Sequence, residues 1–308
     1  METLKEMLAP DFLLRNSVYM SLLVGLACPL VGVYLVLRRL VFMGVALPQV
    51  SSCGIAFAFA LHAWGLVPHL EGGEHSLAFA GSSVFTLAAI LTFSFFERRG
   101  SRMMEGGIGV AYVLAGAWGI LLLVKNPYGE HGLLDRLRGE IIAISDTDLV
   151  WTAAAFGLVV GILRVFRKEF LLVSFDREMA ITLHKQVLFW DILLFLLIGL
   201  TISMAVLSVG PLVTFGFLLI PPLTAHLLAR NMRQFAWVAS VIGGLCALAG
   251  FAIAYRWDFP VGPTDVALLG VVYGAVCAMR WAAGFASRRK SDMAARAGAL
   301  RTGPPGAD

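Results

Sequence analysis

Residues 38–53 read Arg-Arg-Leu-Val-Phe-Met-Gly-Val-Ala-Leu-Pro-Gln-Val-Ser-Ser-Cys, RRLVFMGVALPQVSSC. Two adjacent cations, Arg38 and Arg39, stand between apolar runs that are too long for the core of a soluble domain. A bilayer core takes about 20 apolar residues of helix, and the chain offers such runs repeatedly. They fall at about 16–37, 44–66, 77–96, 107–125, 149–166, 187–208, 211–229, 235–255 and 264–283. The break between 208 and 211 is the shortest, so the count is eight or nine. The pattern predicts an all-α membrane protein, a polytopic bundle of transmembrane helices.

Composition agrees. Of 308 residues, 59% are hydrophobic and 14% charged, against roughly 25% charged in an average soluble domain. The mean hydropathy is +0.82. Placing the Arg38-Arg39 turn in the cytoplasm and alternating from there leaves Lys5, Arg15, Lys125, Arg136, Arg138 and Arg256 outside, and the remaining 18 of the 24 Lys and Arg inside. That is the asymmetry of the positive-inside rule. It predicts an outward amino end and a cytoplasmic carboxyl end, and it makes the net charge of +4 a matter of topology, with no nucleic-acid partner. Asp11 and Arg15 precede the first run, which is long enough to stay as a span and not be cleaved. Cys28, Cys53, Cys246 and Cys277 lie inside apolar runs without CxxC spacing and read as small buried hydrophobes. The segment 1–286 reads as one membrane domain, and 287–308, with Ser-Arg-Arg-Lys followed by Ala, Gly and Pro, as a basic, disordered cytoplasmic tail.

Three stretches depart from plain spans. Residues 164–186, RVFRKEFLLVSFDREMAITLHKQ, set Phe170, Leu171, Phe175, Met179 and Ala180 beside Arg167, Lys168, Asp176, Arg177 and Glu178. An amphipathic helix lying on a membrane or in a partner's groove gives this pattern. Residues 210–225, GPLVTFGFLLIPPLTA, carry three prolines and two glycines. Such interruptions are tolerated where neighbours or a cavity satisfy the freed backbone, which makes Pro221 and Pro222 path candidates, a packing kink being the alternative. Residues 255–265, YRWDFPVGPTD, form a turn that ends in the carboxylate of Asp265. His62, His69 and His75 surround Glu71 and Glu74 in a loop that could collect cations or be only a polar turn, and His131 with Asp135 is weaker still.

Taken in order, these stretches resemble the permease subunits of bacterial ABC transporters for zinc, manganese and iron. The resemblance rests on Gly25, Pro29-Leu30, Gly32, Leu37-Arg38-Arg39-Leu40 and Met43-Gly44, then on Phe175-Asp176, Glu178 and Ala180. It continues through Val209-Gly210, Leu219-Ile220-Pro221 and Thr224-Ala225, and closes on Tyr255, Pro260 and Gly262. It implies a type II ABC importer permease in a bacterial inner membrane, two such chains pairing around a central path. It also implies separate ATPase subunits below, a solute-binding protein on the outer side, and lipid around the whole. The segment 170–186 is then the coupling helix, with Phe175, Asp176, Glu178, Met179 and Ala180 meeting the ATPase. The chain has no G-x-x-x-x-G-K-[ST] loop, so nucleotide phosphates need a cradle elsewhere. No cofactor is expected on this chain, with ATP on the partner. HExxH and GxSxG are absent too, and a transporter subunit is expected, not an enzyme.

One departure bears on cargo. After Met-Gly, such permeases commonly carry Asp-Ala-Leu-Ser-His-Ala, which places a carboxylate and an imidazole one turn apart on one helix face. Here the positions are Val45 and Gln49. The metal ligands are therefore unknown: Met43, Gln49 and Cys53 offer soft or neutral donors, while Asp265 and His226 are ionisable groups near span ends. Three readings stay open, namely an ion handled by such groups, a metal complex or small neutral solute as cargo, or a heterodimer whose other chain bears the ligands. An ATPase-independent secondary transporter or channel is the rival class.

Overall fold

The computed structural model describes residues 14–65, 74–98, 104–124 and 144–301. His69, Glu71, His131 and Asp135 lie outside them, as do the side chains of Glu74 and His75. Among the described residues there are eleven helices and no strands. They are α1 (Arg15–Leu37), α2 (Val41–Ala63), α3 (Glu74–Arg98), α4 (Met104–Val124), α5 (Asp146–Val165), α6 (Arg167–Phe175), α7 (Arg177–Thr182), α8 (Val187–Val209), α9 (Pro211–Leu228), α10 (Met232–Trp257) and α11 (Val261–Arg301). All except α6 and α7 are long and apolar enough to span a bilayer, giving nine spans.

The opening cations make the first reversal. Leu40 N–H bonds back to the Leu35 carbonyl and Arg39 N–H to that of Val36, the paired bonds that close a helix through a left-handed residue. Arg39 takes that role, with φ 58°. Asn16, one residue into α1, donates to the Ile144 carbonyl (3.1 Å) and to Asp146 Oδ1 (2.7 Å) at the start of α5. The two helices therefore start at the same end of the bundle, and α5 delivers the chain to the Arg38 end, where α6 and α7 lie.

Burial sorts the spans. Helices α1, α2 and α8 form the centre, while α11 is only 11% buried over its apolar window. Large apolar groups left exposed, such as Trp118, Leu121, Trp151, Val271 and Trp281, are what a lipid solvent permits. Between spans, close approach does the work that hydrophobicity cannot do in lipid. A Cβ placed on either Gly54 (α2) or Gly81 (α3) would fall 2.4 Å from the other's carbonyl oxygen. Beside that contact Ser51 and Ser82 share a hydroxyl bond of 2.6 Å.

The break expected at 208–211 is a single residue. Gly210 adopts φ 81° and ψ 168° and Pro211 opens α9 at its first turn, where the missing N–H costs nothing. Within α9, Pro222 deprives the Leu218 carbonyl of its helical donor. That carbonyl turns to α1, where a Cβ on Gly32 would stand only 1.8 Å from it; glycine is what lets its own Cα–H meet the oxygen. Two expectations need correction. The segment 170–186 is not one helix but two, broken at Asp176 (φ −138°, ψ 86°), whose side chain caps α7 by accepting from Met179 N–H at 2.8 Å. The stretch from 287 is not an unstructured tail as far as Arg301, because α11 continues through it. Its Ala, Arg and Lys are strong helix formers.

Candidate functional site

A cleft of about 510 Å³ lies between α2, α4 and the start of α9. Helix α2 contributes Val45, Pro48, Gln49 and Ser52, spaced i, i+3, i+4 and i+7, which is one face of a helix. Helix α4 contributes Tyr112, Gly116, Gly119, Ile120 and Leu123, and α9 contributes Pro211, Leu212 and Phe215. Gly116 makes room for the Gln49 amide: a Cβ there would sit 3.1 Å from Nε2. Pro48, inside α2, and Pro211, at the start of α9, both lie on the lining. No lining side chain is ionisable near neutral pH; the polar groups are one amide, one aliphatic hydroxyl and one phenol. Among the described residues no three of His, Cys, Asp and Glu gather into a metal-holding group.

Of the sequence candidates for a path, Val45 and Gln49 are on this surface. Met43 is fully buried in the apolar core. Cys53 is buried, its backbone packed beneath Gly119. Pro221 and Pro222 are buried in α9 away from the cleft, so that helix meets the cleft through its opening residues. Asp265 is fully buried where α1, α10 and α11 pack; its Oδ2 accepts from Ser21 Oγ at 3.2 Å. Gly250 on α10 passes so near that a Cβ there would stand 2.1 Å from Asp265 Oδ1. The α4 wall escaped sequence reading because Tyr112, Gly116 and Gly119 sit in a run that looks like any lipid-facing span. The glycine pair Gly116 and Gly119, three apart on one helix face, is the signal that was available.

At the Arg38 end a second assembly forms. Arg38 Nη1 meets Asp191 Oδ1 of α8 at 2.8 Å, with the side chains 11% and 5% exposed. Its Nε donates to Ser174 Oγ of α6 at 2.9 Å, and the guanidinium stands 5.6 Å over the Phe195 ring. One side chain thus joins the ends of α1, α6 and α8. An edge-to-face chain from Tyr34 through Phe170 to Trp190 reinforces the joint. Helix α7 hangs below it. Ala180 is fully buried against Val173 and Val187 and so faces the bundle. Phe175, Met179, Ile181 and Leu183 are all more than half exposed, with Asp176 and Glu178 beside them in the open. Ile181 and Leu183 belong to this projection although the sequence pattern did not single them out, because the break at Asp176 resets the helical phase.

Comparison with known proteins fixes the relationship. The manganese transport system membrane protein MntC of Listeria innocua is 26% identical over 260 residues, covering 84% of this chain and 88% of its own length. The membrane protein slr2045 of Synechocystis sp. is 29% identical over 275 residues, 88% and 92% of the two chains. A solved structure of PsaBC from Streptococcus pneumoniae in complex with Fab superposes with a TM-score of 0.75 at 25% identity, covering 89% of this chain and 94% of that one. The sequence profile of the ABC 3 transport family matches residues 11–280. With that profile running through all nine spans, the chain belongs to the ABC 3 transport family.

Proposed function

We propose that the chain is the membrane-spanning permease of an ATP-driven importer for a divalent transition metal or a metal complex. It works in a bacterial inner membrane with its carboxyl end cytoplasmic. ATP is hydrolysed on separate subunits that seat the α7 projection, a solute-binding protein delivers cargo from the outer side, and a second permease chain completes the path. The observation that carries this reading is the exposed apolar projection of Phe175, Met179, Ile181 and Leu183, braced to α1 and α8 through Arg38. Apolar side chains exposed on a short helix at this end of the bundle are what a groove in a partner would cover. A secondary carrier needs ionisable groups at its coupling site, whereas the cleft lining carries none that ionises near neutral pH.

The test is association. Phe175→Ser and Met179→Ser together should weaken capture of the co-expressed ATPase by roughly 30-fold, the scale of one anchoring side chain lost from an interface, with thermal unfolding unchanged. Undiminished capture would remove the projection from the coupling role.

Within this reading the cleft favours a metal complex over a bare ion. A divalent cation stripped of water needs charged or strongly donating oxygen or nitrogen ligands, and the lining offers an amide, two hydroxyl groups and hydrocarbon. The double change Val45→Asp and Gln49→His should therefore raise the affinity of the purified permease for Mn²⁺ or Zn²⁺ on the order of tenfold or more, the scale on which metal-site partners act. Unaltered binding, read by calorimetry, would mean that this face does not meet the cargo.

A further inference from the structure

A second cleft, of about 150 Å³, opens at the Arg38 end between α1, α5, α6 and α10. Three guanidinium groups line it: Arg164 from the last turn of α5, Arg167 from the first residue of α6, and Arg233 from the first turn of α10. Tyr34 and Trp237 complete the rim, and Arg164 lies 4.7 Å over the Trp237 ring. Among the described residues no ion pair engages any of these three arginines. Glu169, on the turn after Arg167, is not part of the lining. Three cations lining one cleft repel one another, and an anion bound among them offsets that repulsion.

The rest of the cleft says which anion. All three arginines stand where apolar spans end. Below them the wall turns to hydrocarbon, with Leu30, Val160, Leu163 and Ala236. From Trp237 an exposed apolar stripe continues along α10 through Val241 and Leu245, spaced i, i+4 and i+8 on one face. A small free anion would use the arginines alone. A molecule with a phosphate at one end and an acyl chain at the other would use both.

We propose that this cleft binds the phosphate headgroup of an anionic phospholipid of the leaflet at the Arg38 end, one acyl chain lying along Trp237, Val241 and Leu245. Basic pockets between spans are a recurrent way of holding such headgroups. The bound lipid bridges the elbow between α5 and α6 to α10, and so it steadies the root of the α7 projection. The inference requires only that the bundle spans a bilayer, and it stands apart from the proposed cargo.

The test uses the full chain in detergent, titrated with dioctanoyl phosphatidylglycerol, with phosphatidylcholine of the same chain length, and with inorganic phosphate, bound molecules being counted by native mass spectrometry. Phosphatidylglycerol should bind at least tenfold more tightly than phosphatidylcholine. The triple change Arg164→Gln, Arg167→Gln and Arg233→Gln should cost roughly 100-fold, from about fivefold per arginine facing an anionic surface. If that variant fails to fold, the wild-type chain still decides, because raising salt from 0.1 to 0.5 M should weaken phosphatidylglycerol and leave phosphatidylcholine unchanged. Equal retention of the two lipids, or phosphatidylglycerol binding indifferent to both salt and the arginines, overturns the site. Inorganic phosphate displacing the lipid at equal concentration would make it a free-phosphate site and overturn the lipid assignment.

Discussion

Asp191→Asn should lower the unfolding free energy of the permease by about 3–5 kcal/mol, the cost of leaving one member of a buried ion pair alone. The pair qualifies, since both side chains are largely enclosed and Arg38 Nη1 reaches Asp191 Oδ1 at 2.8 Å. Among the described residues Asp191 is the carboxylate that Arg38 meets; its Nε is committed to Ser174 and its face to Phe195. The apolar double variant, Arg38→Met with Asp191→Leu, should recover most of the loss, because it removes both desolvated charges at once. Thermal unfolding in detergent measures both. If the single and double variants are equally unstable, the charge pair is not what holds the joint. The ion pair also makes a kinetic statement: Asp191→Asn should loosen α6 and raise proteolysis near Asp176 before the spans unfold.

Gly32→Val should cost about 3 kcal/mol or more, at the upper end for overpacking a tight interior. A Cβ at Gly32 would lie 1.8 Å from the Leu218 oxygen and 2.9 Å from Pro222 Cγ, so α1 and α9 must separate to admit it. Neither obstacle can swing aside, because one is backbone and the other a ring. Gly44→Ala is the control, with its nearest neighbour the flexible Leu35 side chain at 3.4 Å, and should change stability little. Equal effects of the two substitutions would mean that α1 and α9 are not in close contact at Gly32.

The spans were legible because lipid leaves an unmistakable pattern: about 20 apolar residues bounded by charge. Gly210-Pro211 was legible as a break because both residues carry backbone constraints of their own. What could not be read was pairing across distance. Arg38 announced a turn, but its partner lies 153 residues away, and nothing local distinguishes Asp191 from any acid at a helix start. Asp265 was legible only as an ionisable group near a span end, and it took the structure to show it fully buried, bonded to Ser21 and crowded by Gly250, away from the cleft. On α2 the periodicity that ties Val45 to Gln49 also brings in Pro48 and Ser52, and it equally takes Met43 to the opposite side. The opening of α9 joined the cleft through tertiary contact alone.

The link between α8 and α9 has a mechanical meaning. Helix α8 carries Asp191 near its base and ends at Val209; one glycine later Pro211 stands at the cleft wall. A connector of one residue has no slack to take up. In the importer proposed above, a tilt imposed on the foot of this rod would carry to the far rim, and lengthening the link at Gly210 by a few flexible residues should let the foot move while the rim stayed still.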